Sequence, residues 1–310
     1  MSVLFTFPGQ GAQRTGMLHT LPDHPEAAHA LEEASDSLGY DALSLDDSNA
    51  LRSTIAVQLC LLIAGVAQAR VVCAHGQAPD IVTGLSIGAY PAAVIAGALD
   101  YADAVRLVSL RGQLMERAFP HGYGMTAIVG MTQRALERLI TEVNSAAMPV
   151  FLANINAQTQ MVVAGSDAAM QRLATLALKC GAQRCERLDV AVPSHCALLD
   201  APAAALADAF GQVAMRAPGI VYLSSSMARP LFDGPRIASD LATNMARQVR
   251  WHDTVRLAWE RGARLAVEMP PANVLTRLSS AIFTEGIAVS CSETALPDLS
   301  ALIERERLSE

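Results

Sequence analysis

Lysine is almost absent from this 310-residue chain: of 23 basic residues only Lys179 is a lysine, and aromatic residues make up 5% and charged residues 17%. With 30 acidic residues the formal net charge is −7. That balance argues against a nucleic-acid partner, because phosphate binding needs a basic surface that displaces counterions. The six cysteines, Cys60, Cys73, Cys180, Cys185, Cys196 and Cys291, include no C-x-x-C pair. Reduced thiols therefore fit better than a disulfide framework, and no zinc cluster is indicated. His19, His24 and His29 recur every five residues, but five helical steps turn about 140°, so one helix cannot aim them at one ion and no metal is expected. Long uninterrupted apolar runs are missing too. The longest, 55–69, contains Gln58 and Gln68 and falls short of the ~18 to 20 residues of a bilayer span, so no membrane segment is expected. The start, Met1-Ser2-Val3-Leu4-Phe5, lacks a basic region and a cleavage site and reads as a buried strand, which makes the cytoplasm the expected location.

What is present is a core-forming composition, 52% apolar, in a chain long enough that one large lobe with an inserted smaller one is expected. A strand at 3–7 runs into a glycine-punctuated loop, Pro8-Gly9-Gln10-Gly11-Ala12-Gln13. Helices follow at 25–38 and 53–74, a strand at 80–83, and helices at 89–97 and 102–118. Alternating strands and helices imply a parallel sheet. From residue 123 the rhythm changes to strand 125–129, helix 132–145, strands 150–155 and 160–164, helix 167–180 and strand 184–192. That β-α-β-β-α-β order is the ferredoxin-like unit. The expected architecture is an α/β-hydrolase-like large lobe (1–122 and 194–310) with an inserted ferredoxin-like small lobe (123–193). Helices at 201–212, 237–245, 252–261 and 274–283 and strands at 219–224 and 265–269 complete the large lobe, and 304–310 reads as frayed.

Gly84-Leu85-Ser86-Ile87-Gly88 lies between an apolar strand and an alanine-rich helix. A serine on such a strand-to-helix turn is lifted clear of the sheet, beside helix amides that point where an oxyanion would form, so Ser86 is the candidate nucleophile; an ordinary tight turn is the alternative. A base is needed, and His195 in Val192-Pro193-Ser194-His195 lies where the insertion rejoins the large lobe; its alternative role is helix capping. Such a base contributes roughly 10² to 10⁴ in rate. No acid announces itself as a third member, although Asp189 and Asp200 are near in sequence, and a carbonyl can orient the imidazole instead. Arg111 is flanked by apolar residues without an acidic i±4 mate. It is either a solvated surface arginine or a clamp for a substrate carboxylate. Many arginines fall in the last third, including Arg229, Arg236, Arg247, Arg250, Arg256, Arg261, Arg264 and Arg277, and are compatible with a basic face for an acidic protein partner.

Taken in order, Phe7-Pro8-Gly9-Gln10-Gly11-Ala12-Gln13, the Ser86 turn, Leu110-Arg111-Gly112, Gly124-Met125-Thr126-Ala127, Asn154-Ile155-Asn156, Val192-Pro193-Ser194-His195 and Val249-Arg250-Trp251 resemble the malonyl-CoA:acyl-carrier-protein transacylase family nearly end to end. The resemblance implies ping-pong transfer of malonyl from malonyl-CoA, through a serine ester, to the thiol of a carrier protein's prosthetic group, with no cofactor bound by the chain itself. It implies Ser86 as nucleophile, His195 as base and acid, the amides of Gln10 and Ile87 as oxyanion hole, and Arg111 as carboxylate clamp. It further implies Asn244 as the source of the carbonyl that orients the histidine, and Asn156 as a pocket residue. Leu85 and Ala89 depart from the histidine and glutamate usual in the family. In that respect the turn is similar to the transacylase (epsilon) subunit of bacterial malonate decarboxylase, whose acceptor is a dedicated carrier subunit; the fatty-acid transacylase is the alternative. A serine hydrolase is the reading from another class, since the same pair cleaves esters when water reaches the acyl-enzyme.

Overall fold

The computed structural model describes residues 2–119 and 121–308. Strand β1 (Ser2–Phe7) is followed by helices α1 (Pro25–Leu38) and α2 (Thr54–Ala74), and strand β2 (Ile81–Gly84) leads into α3 (Ala89–Ile95) and α4 (Tyr101–Ala118). A second unit intervenes: β3 (Tyr123–Val129), α5 (Gln133–Val143), β4 (Val150–Ala157), β5 (Gln160–Ser166), α6 (Asp167–Lys179) and β6 (Arg184–Arg187). The chain then continues through α7 (Asp200–Phe210), β7 (Val221–Ser224), β8 (Arg229–Leu231), α8 (Gly234–Thr243) and α9 (Trp251–Glu260). It ends with β9 (Ala263–Glu268), α10 (Val274–Ser280), β10 (Ile287–Ser290) and α11 (Leu296–Leu308).

The large sheet has the order β10-β9-β1-β2-β7-β8 and is parallel except for the edge strand β8. Central β1 is covered on both faces, so Val3, Leu4, Phe5 and Phe7 are all fully buried and the strand reads as one apolar run. Strands β3 to β6 form a separate antiparallel sheet of order β4-β5-β3-β6, with its own core around Ile128, Leu136, Met161 and Leu173. The small sheet is tied to the large lobe at the segment before α9, where the Ile155 N–H donates to Val249 O (2.8 Å) and the Val249 N–H donates to Ala153 O (2.9 Å). The fold is thus mixed α/β, with a parallel sheet and a separate small antiparallel one.

Several expectations are corrected. Helix α2 is, by length and composition, long and apolar enough to cross a membrane, contrary to the reading of 55–69 as too short. It is buried continuously from Ala56 to Ala69 against α1, α3 and α4, the setting of an all-round apolar core helix. The strand expected at 184–192 stops at Arg187: Leu188 donates a last bond to Met125 O, and the chain then turns to line a cleft before Pro193, which has no N–H to give. Edge strands β8 and β10 are too short to carry a period and went unread. Residues 304–308 do not fray; α11 runs to Leu308 with Leu299 and Ile303 buried and Arg307 donating to Gly76 O and Ala78 O. Residues 309 and 310 lie outside the described residues.

Candidate active site

Ser86 sits at the start of the 3₁₀ turn Ser86–Gly88, between β2 and α3, with φ +58°, a left-handed conformation that a non-glycine residue adopts at a cost. Close packing holds it there. A Cβ on Gly84 would lie 1.9 Å from Gly88 C, and one on Gly88 would lie 2.1 Å from Phe7 O. Neither glycine can be replaced without moving backbone. Gly88→Ala is therefore expected to destabilise the fold by about 3 kcal/mol or more, read from its chemical denaturation midpoint; an unchanged midpoint would mean that the loop at Phe7 yields freely.

The loop after β1 is pinned to the same turn, with the Leu85 N–H donating to Phe7 O at 3.0 Å. Within the turn the first bonds come from Gly88 and Ala89, to Leu85 O and Ser86 O, so the Ile87 amide precedes them. Gln10 lies across the cleft mouth in a turn closed by Ala12 N–H to Gly9 O. From behind, Ser225 Oγ donates to Gly84 O (2.8 Å), while its neighbours Ser224 and Ser226 donate to buried Asp240 on α8 at 2.7 and 2.5 Å.

His195, also left-handed at φ +65°, places Nε2 2.8 Å from Ser86 Oγ. Its Nδ1 lies 2.9 Å from Asn244 O and 3.1 Å from Arg247 O. Carbonyls only accept, so Nδ1 carries the proton and Nε2 is left bare toward the serine hydroxyl. Burial, and then the positive charge of Arg111, push the imidazole down to about 4, against the opposing pull of the two carbonyls. Among the described residues no carboxylate completes a triad: Asp200 pairs with Arg247 at 2.6 Å, and Asp189 lines the cleft.

Arg111, on α4, is fully buried. Its Nη1 donates to Gln58 Oε1 (2.6 Å), and Nη2 to Ser86 Oγ (3.4 Å) and Asn244 Oδ1 (3.3 Å); Tyr90 stands 5.9 Å away by its ring centroid. Of five guanidinium N–H donors three are engaged, and Nε has no partner among the described residues. No acid is among these contacts. Buried cations are ordinarily paired, so the arrangement has the form of half an ion pair. Gln58 and Tyr90 were missed by the sequence reading; the available signal was an amide at position 58 inside an otherwise apolar helix.

The cleft in front of Ser86 has a volume of about 560 Å³ and lies between the two sheets. One wall is apolar (Leu85, Val274, Leu275, Leu278), and the small sheet supplies Asn154, Asn156 and Gln160. The Oδ1 atoms of both asparagines are buried without partners among the described residues. Of the arginines in the last third, Arg236, Arg247, Arg250 and Arg256 are each paired with an acid.

The acyl transferase domain family matches residues 4–297. The malonyl CoA-acyl carrier protein transacylase of Haemophilus influenzae is 36% identical over 296 residues, covering 93% of this chain and 95% of that protein. Its counterpart in Escherichia coli strain K12 is 34% identical over 304 residues, covering 96% of each. Among solved structures, the malonyl CoA-acyl carrier protein transacylase of Coxiella burnetii superposes with a TM-score of 0.92 at 33% identity over 97% of both chains. A malonyl-transacylase in complex with a type II PKS acyl-carrier protein gives 0.92 at 34% identity over 98% of this chain and all of that one. The chain belongs to the malonyl CoA-acyl carrier protein transacylases, within the acyl transferase domain family.

Proposed function

We propose that the protein transfers malonyl from malonyl-CoA to the thiol of an acyl carrier protein through an ester on Ser86. The observation that carries this reading is Arg111: a fully buried cation with no acid among its contacts, within reach of Ser86 Oγ, where the carboxylate of a malonyl ester would supply the missing negative charge. His195 Nε2 takes the Ser86 proton as Oγ attacks the thioester carbonyl. The resulting oxyanion is received by the amides of Gln10 and Ile87, each donor being worth roughly 10² to 10³ in rate. The tetrahedral species collapses with cleavage of the C–S bond, and His195 returns the proton to the departing coenzyme A thiol. In the second half, His195 takes the carrier thiol's proton as the sulfur attacks the ester carbonyl, the C–O bond to Ser86 breaks, and His195 returns the proton to Ser86 Oγ. Asn156 lines the acyl pocket, no cofactor is held by the chain, and the reaction belongs to the cytoplasm.

Two acceptors are in view. Leu85 and Ala89 favour the carrier subunit of malonate decarboxylase; the names of the relatives fit a fatty-acid carrier at least as well. Intact-protein mass measurement after brief exposure to malonyl-CoA or acetyl-CoA, followed by a chase with each purified carrier, tests both levels. A malonyl adduct that only the decarboxylase carrier discharges is the expected result, and preference for a fatty-acid carrier would overturn the acceptor assignment. Free malonate accumulating without an adduct would favour a hydrolase.

The low affinity of His195 for a proton has a kinetic consequence. With malonyl-CoA, kcat/KM, which reports the free enzyme, is expected to stay level as pH falls from 8 to about 5 and to halve near the imidazole's value of about 4, because protonation removes the base. A midpoint near the ordinary ~6.5 would mean that the imidazole is solvated.

A further inference from the structure

Asn244 offers two oxygens to the site, and they go to different partners. Its backbone O accepts from His195 Nδ1 at 2.9 Å, and its side-chain Oδ1 accepts from Arg111 Nη2 at 3.3 Å. The residue is 1% exposed and opens the 3₁₀ turn Asn244–Ala246, and its own N–H is taken by Asp240 O. Neither oxygen is free to drift. Besides Ser86 Oγ, the other side-chain acceptor close to Arg111 among the described residues is Gln58 Oε1, also an amide oxygen.

The charge state of these acceptors decides what Arg111 can do. A carboxylate in either place would discharge the guanidinium and compete with any acyl carboxylate. An apolar group would release it from its aim at Ser86. An amide oxygen directs the cation without neutralising it. Building on the reading that Ser86 carries a carboxylated acyl group, we propose that the Asn244 side chain is specificity-determining: its Oδ1 presents Arg111 beside Ser86 as an undischarged cation and so sets the preference for malonyl over uncharged acyl groups. The backbone carbonyl of the same residue positions the base. The two roles are separable, since a side-chain substitution keeps the carbonyl.

The test compares full-length wild type, Asn244→Asp and Asn244→Ala in single-turnover acylation of Ser86, with malonyl-CoA and acetyl-CoA as probes, recording KM, kcat and the pH midpoint. Asn244→Asp is expected to lower the malonyl-to-acetyl ratio of kcat/KM by roughly thirtyfold or more, mainly through the KM for malonyl-CoA, as for a buried charge pair whose partner is displaced. Asn244→Ala should lower the ratio less and leave the pH midpoint where it was. A folded Asn244→Asp variant with the wild-type ratio would overturn the proposal. So would an Asn244→Ala variant that shifts the midpoint at constant ratio, since the residue would then act through the imidazole alone. If Asn244→Asp does not fold, the Asn244→Ala ratio decides. Wild type that forms no malonyl adduct would remove the functional reading beneath the proposal, an outcome distinct from a labelled enzyme whose selectivity ignores Asn244.

Discussion

Ser86→Ala is expected to abolish the malonyl adduct and to lower transfer by about 10⁴-fold or more, since nucleophile and base act as a unit and removing one forfeits most of what both supply. The Arg111 contacts to Gln58 and Asn244 do not involve the hydroxyl, so malonyl-CoA should still bind with an affinity close to that of wild type. Intact mass and a binding titration on the same preparation check both halves. An adduct that persists on the variant would place the nucleophile elsewhere.

Arg111→Ala is expected to act on selectivity. Removing one partner of a buried charge pair costs about 2 to 5 kcal/mol, so malonyl-CoA should lose about 10² to 10³ in kcat/KM while acetyl-CoA loses far less. The same substitution removes a positive charge that helps to hold the His195 pKa down. Its midpoint should therefore rise from about 4 toward the ordinary imidazole range, and the base should be lost at higher pH than in wild type. Initial rates with both thioesters across pH read the two effects together. Unchanged acyl preference would sink the clamp and favour the hydrolase alternative.

The parts of the molecule legible in the sequence were those in which a local pattern and a tertiary role coincide. The Gly84 to Gly88 run could be read because the turn requires small residues where Phe7 O and Gly88 approach. The β-α-β-β-α-β order could be read because α5 is amphipathic and β5 is a short apolar run bounded by polar residues. Arg111 was half legible: its lack of a local acid was visible, but burial is set by α2 packing over α4, which no local window contains. Gln58 was hidden for the same reason, since an amide in an apolar helix looks like an interruption until Arg111 is placed opposite it. The strand after Arg184 was read too long because Val190 and Val192 are strand-like, although the residues beyond Leu188 serve the cleft. Strands β8 and β10 exist because neighbouring strands offer them a ladder, a cause that lies outside their own residues.

Three non-glycine residues in the described chain have positive φ, and two of them are Ser86 and His195. Each such conformation costs ~1 kcal/mol that glycine would not incur. The hydroxyl and the imidazole are thus mounted on the backbone positions least suited to carry side chains. Glycine at either place would relieve the backbone but forfeit buried hydrogen bonds of His195, so the strained turns and the reacting side chains hold one another in place.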